Sequence, residues 1–211
     1  MKTFIAVPCM DQVAAQFAHS LATLEKAGDC MIGFELGTLI YTARNDFAKA
    51  TISKDADALL FFDSDMVIPS DTLKKMVKHF EEGREIVTGV YYKRRPPFSP
   101  VLYKQLGYRA DTDETYFEDL LELPEGDEPF EVAGCGMGCC MISKSVLLDV
   151  VLNYQTWFNP IHNFGEDLAF CIRARDLGHK IWCDPTIKLG HVGSLVVTED
   201  VWRNTLSERK K

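Results

Sequence analysis

Two aspartates stand one residue apart in Asp63-Ser64-Asp65, directly after four large apolar residues, Leu59-Leu60-Phe61-Phe62. The apolar run predicts a strand buried on both faces in the middle of a parallel sheet. Side chains alternate along extended backbone, so both carboxylates are expected to point the same way from the strand's carboxyl edge. Ligands sit at that edge in open α/β sheets. Carboxylates this close repel each other and resist desolvation unless a hard cation such as Mg²⁺ or Mn²⁺ shares them. The plainer reading is an acidic turn leading into the helix that follows Pro69-Ser70.

A second acidic group is Gly165-Glu166-Asp167. It precedes Leu168, Phe170, Cys171, Ala174 and Leu177, the apolar stripe of a helix that Gly178 stops. Glu166 and Asp167 therefore fall in the first turn, where the helix dipole favours the ionised form. An ionised, partly desolvated carboxylate in a cleft is a competent general base. Acids also collect at helix N-termini simply as caps. His191, between Gly190 and Gly193, has room to reach a ligand, and imidazole completed by carboxylates suits a Mn²⁺-type site.

Gly134, Gly136 and Gly138 alternate after the strand-like Phe130-Glu131-Val132-Ala133. This is neither the dinucleotide spacing nor a P-loop. Glycine here permits close backbone approach, of a ligand or of another strand. Arg44 and Asn45 carry donors for a nucleotide's diphosphate or base, or else form a solvated helix face. Trp157, Phe158 and His162 either line an acceptor pocket or join the core.

The elements that must position these residues read as an alternation. Phe4-Ile5-Ala6-Val7-Pro8 predicts a strand stopped by proline, and helical spacing runs from residue 11 to about 26 with Gly28 as the stop. A strand over 30–36 and a helix over 40–53 precede the buried strand. A helix from Ser70 through His79, ended by Gly83, follows it. Glu85-Ile86-Val87-Thr88-Gly89-Val90-Tyr91-Tyr92 predicts a further strand, and residues 186–189 a short late one. Such alternation signals an α/β fold with a mostly parallel sheet flanked by helices. After Pro96-Pro97, residues 99–133 are β-like and acidic, with a turn at Asp111-Thr112-Asp113-Glu114. They read as an inserted antiparallel flap in a single domain spanning 1–211. Residues 207–211 are charged and expected to fray.

The 211 residues carry a formal charge of −8, with 46% hydrophobic and 26% charged side chains. That composition fits one globular domain and argues against nucleic acid or an anionic membrane as the main partner. Lys93-Arg94-Arg95 is the clearest local basic cluster. No apolar run reaches the roughly 18 residues of a membrane span, and the short strand directly after Met1-Lys2-Thr3 leads to the expectation of no signal peptide. Seven cysteines, an odd number, are expected as mostly reduced thiols in a cytoplasmic protein. Cys135, Cys139 and Cys140 lack paired CxxC spacing and are expected as buried small hydrophobes rather than a zinc site.

The ordered set resembles the GT-A fold glycosyltransferases, specifically small members like glycosyltransferase family two. The set comprises Val7-Pro8, Ala43-Arg44-Asn45, Asp63-Ser64-Asp65, the glycines at 134–138, Gly165-Glu166-Asp167 and His191. The similarity spans residues 4 to about 193. It implies a nucleoside-diphosphate sugar donor, a glycan or other hydroxyl acceptor, and Mn²⁺ or Mg²⁺. Asp65 would ligate the metal, Asp63 would contact the ribose or the metal through water, and His191 would complete the site. Asp167 would deprotonate the acceptor, with Glu166 its neighbour, which implies inversion at the anomeric carbon. Pro8, Arg44, Asn45, Asp63, Ser64, Gly134, Gly136 and Trp157 would contact substrates. One departure is clear: where the family carries an acidic pair and a Gly-Ser-Thr turn, this chain reads Phe34-Glu35-Leu36-Gly37-Thr38-Leu39, which leaves the nucleobase open.

The main alternative is a haloacid-dehalogenase-type phosphatase. Asp63-Ser64-Asp65-Met66-Val67 fits its first motif and Ile86-Val87-Thr88 resembles its second, with Asp63 as nucleophile and Asp65 as acid/base. Against it, the motif would normally lie on the first strand. A GT-A-like nucleotidyltransferase would need a glycine-rich phosphate loop after the first strand, and a non-catalytic nucleotide- or glycan-binding relative would lack turnover.

Overall fold

The structure, a computed structural model, describes residues 1–109, 112 and 114–194. Asp111 and Asp113 of the expected 111–114 turn and the whole 207–211 tail lie outside the described residues. The element order is β1 (Lys2–Cys9), α1 (Ala15–Ala22), β2 (Asp29–Leu36), α2 (Ile40–Ser53), β3 (Ala58–Phe62), β4 (Met66–Val67), α3 (Thr72–Glu81) and β5 (Ile86–Val90). There follow β6 (Leu102–Arg109), β7 (Glu114–Asp119), β8 (Phe130–Val132), β9 (Gly134–Cys135), β10 (Cys139–Ser143), α4 (Lys144–Tyr154), α5 (Glu166–Asp176), β11 (Ile181–Lys188) and β12 (Gly190–His191).

Among the described residues, seven strands form the main sheet in the order β2-β1-β3-β10-β5-β11-β8. β2, β1, β3, β5 and β11 run one way, while β10 and β8 run the other. The sheet is therefore mostly parallel, as the alternation of elements predicts, with an antiparallel strand at its centre that the apolar pattern did not reveal. β10 is Cys139-Cys140-Met141-Ile142-Ser143, wholly buried. It follows the glycines so closely that the sequence reads as one loop.

The expected burial of β3 on both faces holds, since each of its residues is buried, but its neighbours are not both parallel: β1 runs with it and β10 against it. Leu59 and Phe61 face one core with Phe47, Leu147, Phe158 and Phe170, whereas Leu60 and Phe62 face the other with Phe17, Leu73 and Met76. This is the period-two alternation of a strand covered by helices on both sides. β1 continues past Pro8 because β3 pairs with β1 only over Thr3, Phe4, Ile5 and Ala6. The missing amide of Pro8 thus falls beyond that ladder.

Helix α1 is shorter than the spacing predicts. After Ala22 the chain tightens, with the Leu24 N–H on the Leu21 carbonyl, and the Glu25 N–H then bonds the Ser70 carbonyl at 2.8 Å. Backbone pairing with the segment before α3 wins over helix continuation. Residues 99–133 also depart from a simple flap. β6 and β7 form a hairpin that β9 extends into a three-stranded sheet, but β8 joins the main sheet against β11. Among the described residues no helix is long and apolar enough to cross a membrane.

Candidate functional site

The carboxyl ends of β1 and β3 open onto the site. Beyond Phe62 the chain does not stay extended. The Asp63 N–H bonds the Gly138 carbonyl at 3.1 Å, and the Met66 N–H returns to the Asp63 carbonyl at 3.1 Å, closing a turn. β4 then pairs antiparallel with β12, placing His191 opposite Met66, while the Val192 N–H bonds the Asp65 carbonyl at 2.8 Å. Backbone pairing across some 125 residues of chain thus sets Asp65 beside His191.

The turn sets the two aspartates against different cationic side chains, Arg44 and Arg94. Asp63 Oδ1 accepts from Arg44 Nη2 at 2.9 Å, and Arg44 Nε donates to Glu166 Oε1 at 3.3 Å. Arg44 is 3% exposed, lies 4.9 Å over the Phe61 ring, and among the described residues its buried Nη1 has no hydrogen-bond partner. Asp65 Oδ2 accepts from Arg94 Nη1 at 2.7 Å, and Asp65 Oδ1 lies 3.6 Å from His191 Nε2. The repulsion that the sequence assigns to a metal is met in this structure by two arginines and a histidine.

His191 Nδ1 lies 2.7 Å from the Tyr92 carbonyl, an acceptor that fixes Nδ1 as the protonated nitrogen. Burial pushes the Asp65 carboxyl up, but the hydrogen bond and charge of His191 and the charge of Arg94 bring it below its ordinary value. Burial likewise lowers the His191 imidazole, and Asp65 and the Tyr92 carbonyl more than reverse this. Asp167 differs from both. Burial and the charge of neighbouring Glu166 raise its carboxyl to about 6, against the Leu168 N–H, which donates to Oδ1 at 2.7 Å.

Two cavities meet at Asp63 and Asp65. One, of about 260 Å³, is lined by Pro8, Glu35, Thr38, Ile40 and Ser64, among others. The other, of about 470 Å³, contains Arg94, Glu166, Asp167 and His191, with Tyr91 and Lys93 in its wall. Pro8, Ser64 and the acidic residues therefore gather as the sequence expects. Glu35, Tyr91, Lys93 and Arg94 were missed as site residues, although the 93–95 basic run in an acidic chain was the available signal.

Other candidates are drawn into the framework. Asn45 uses both ends of its amide to clamp a loop: Oδ1 accepts from the Trp157 and Phe158 N–H groups at 3.2 and 2.9 Å, and Nδ2 donates to Asn159 Oδ1 at 2.8 Å. Trp157 Nε1 donates to the Leu147 carbonyl at 2.7 Å, and Phe158 is fully buried, stacked on Phe170. Gly134 and Gly136 are buried against protein. A Cβ on Gly134 would lie 2.7 Å from Leu106 Cδ2, and one on Gly136 would lie 2.1 Å from the Tyr91 hydroxyl oxygen. Their role is to let Tyr91 and β6 approach the backbone.

The pair Asp65 and His191 fits a divalent ion. A separation of 3.6 Å suits two ligands on one cation, and a histidine whose Nδ1–H is tied to a carbonyl offers Nε2 as a lone pair. Among the described residues no group of three His, Cys, Asp or Glu side chains is gathered for a metal. Asp63 in particular is turned to Arg44.

The phosphatase reading loses its two supports. Asp63 Oδ1 is held by a buried arginine, and Thr88 is fully buried with its hydroxyl donating to the Cys139 carbonyl at 2.9 Å.

The chain matches the family model described as Glycosyl transferase family 2 over residues 36–150, more than half its length. That segment includes Asp63 and Asp65 but neither Asp167 nor His191. Among solved structures the chain is similar to A197 from STIV, with TM-score 0.68 and 21% identity over 92% of this chain and 87% of that one. It is also similar to GalNAc-T7 crystallised with UDP, GalNAc and Mn²⁺ (TM-score 0.63, 12% identity, 92% of this chain and 44% of that one). A third likeness is to S. aureus TarS 1-349 (TM-score 0.58, 13% identity, 91% and 60%). This chain spans less than two thirds of the latter two. No curated protein matches it. At these identities the structural likenesses carry the fold, and the family match carries the membership: the chain belongs to glycosyl transferase family 2 and is a glycosyltransferase of the GT-A fold.

Proposed function

We propose that this protein moves a sugar from a nucleoside-diphosphate sugar to an acceptor hydroxyl, with inversion, assisted by Mn²⁺ or Mg²⁺. The observation that carries the reading is Asp167, half-buried and raised to about 6, in one cavity with Asp65 and His191. A base poised near neutral pH accepts a proton effectively and is still ionised under working conditions.

In this reading the cavity at Pro8, Glu35 and Thr38 takes the nucleoside, and Asp63 reaches the ribose. Asp65 and His191 would hold a divalent ion, whose chemistry there would be to neutralise charge on the departing diphosphate. GalNAc-T7, crystallised with UDP and Mn²⁺, lends support by analogy of fold alone. Asp167 takes the proton of the acceptor hydroxyl as its oxygen bonds the anomeric carbon. The bond from that carbon to the diphosphate breaks on the opposite face, so the configuration inverts. Burial lifts the Asp167 carboxyl, and the charge of Glu166, anchored on Arg44, adds to it.

Residues 99–133 would shape the acceptor side within one catalytic domain of residues 1–211. Tyr103 is raised to about 12 by burial and by the charges of Asp167 and Asp119. Phe117, 60% exposed, packs edge-on against Tyr103. Such aromatic faces suit a sugar ring. All seven cysteines are free thiols, consistent with work in the reducing cytoplasm.

The test is a thermal-shift screen of UDP, GDP, CDP and dTDP with and without Mn²⁺, followed by assay of Asp167→Asn. One nucleotide should stabilise the protein in a metal-dependent way, by roughly 2.7 kcal/mol at 100 times its dissociation constant. Asp167→Asn should keep that shift while turnover falls about 10²- to 10⁴-fold. Unchanged turnover would remove Asp167 from the role of base.

A further inference from the structure

Arg94 occupies a position that the proposed chemistry does not use. Its Nη1 lies 2.7 Å from Asp65 Oδ2, while the other oxygen of the same carboxylate faces His191 Nε2 at 3.6 Å. One oxygen of Asp65 is thus covered by a guanidinium and the other faces the imidazole. The two partners are held very differently. His191 is fixed by the β4–β12 pairing and by the Tyr92 carbonyl. Arg94 is 53% exposed on a segment between β5 and β6, and its aliphatic stem lies over Gly193, whose Cα would carry a Cβ 3.5 Å from the Arg94 Cβ. Lys93, Arg94 and Arg95 all line the cavity that holds Asp167.

We propose that Arg94 is an exchangeable counter-cation: it holds Asp65 when no metal is bound and moves to the donor's diphosphate when a divalent ion takes Asp65. The inference rests on the metal-dependent reading above. A guanidinium and a divalent cation on one carboxylate repel each other, so the two occupants exclude one another. The departing guanidinium needs an anion, and a diphosphate on the metal presents oxygens with the geometry that arginine pairs best. The long flexible stem can swing while the backbone around Asp65 and His191 stays in place. Metal alone must displace Arg94, whereas metal with nucleoside diphosphate gives Arg94 a new partner. Binding of the two is therefore coupled through one side chain, and the coupling is reciprocal.

The experiment is calorimetric titration of the full chain, wild type and Arg94→Gln, first with Mn²⁺ alone and then with the nucleoside diphosphate selected by the thermal-shift screen at saturating Mn²⁺. Arg94→Gln should bind Mn²⁺ alone about two- to tenfold more tightly, the scale of a removed exposed ion pair and its charge. The same variant should bind the diphosphate about tenfold more weakly. Arg94→Lys should restore part of both effects, and Arg95→Gln should leave Mn²⁺ binding alone unchanged. The opposite signs are the signature, since a substitution that merely disturbed the fold would weaken both. Weaker diphosphate binding with unchanged Mn²⁺ affinity would make Arg94 a static phosphate contact and overturn the exchange. Absence of Mn²⁺ binding in both proteins would overturn the metal reading itself, an outcome distinct from the failure of the exchange alone.

Discussion

Arg44 reaches Asp63 from within the core, and Arg94 reaches Asp65 from the open side of the same turn. The first arginine is 3% exposed and bonded to two carboxylates on separate elements, α5 and the turn after β3, with an aromatic ring beneath it. The second is half exposed and bonded to one carboxylate. The chemistry of the contact is the same in both. What differs is the solvent available to replace it. A buried guanidinium whose removal strands two carboxylates behaves as framework, whereas an exposed ion pair competes with water on nearly equal terms. One aspartate of the turn is therefore fixed in place, and the other remains open to a new cation.

The sharpest way to break the comparison is Arg44→Met, which keeps volume but strands Asp63 and Glu166. Loss of a buried partner should destabilise the protein by about 3 kcal/mol in urea unfolding at neutral pH. A loss below about 1 kcal/mol would mean that solvent already screens the network and the contrast is false. Asp167 gives the next effect. Its folded value near 6 lies above the ordinary 3.8, so its ionisation works against the fold. That penalty is absent below about pH 4, grows between 4 and 6, and is complete above 6. Asp167→Asn should consequently match the wild type at pH 4 and exceed it by about 1–2 kcal/mol at pH 7.5, after allowance for partial exposure. The wild-type rate should rise through pH 6 and level above it. A pH-independent difference would place the origin outside ionisation. The smallest effect belongs to Arg94→Gln, where urea unfolding should shift by no more than about 0.5–1 kcal/mol and less at high salt. A larger loss would make Arg94 framework like Arg44.

Reading the sequence succeeded where the signal is local. Helix α2 matches its expected bounds, and β3 is buried throughout, because side-chain period and burial are written in neighbouring residues. The first-turn position of Glu166 and Asp167 follows for the same reason. Asn45 and the glycines at 134 and 136 defeated local reading, since each admits both a ligand and a protein partner. In the fold the partners turned out to be the loop at Trp157, Phe158 and Asn159, and the side chains of Leu106 and Tyr91.

The sequence by itself determined the α/β alternation, the buried central strand, the family resemblance, and the clustering of acid at the end of that strand. These depend on residue types a few positions apart, where backbone geometry alone fixes which side chains share a face. Only the tertiary structure decided which cation answers which carboxylate. Arg44, Arg94, Glu166 and His191 reach the turn from four separate elements or connecting segments. Their roles depend on how far each is withdrawn from solvent, a property of the packed whole that no spacing in the chain records.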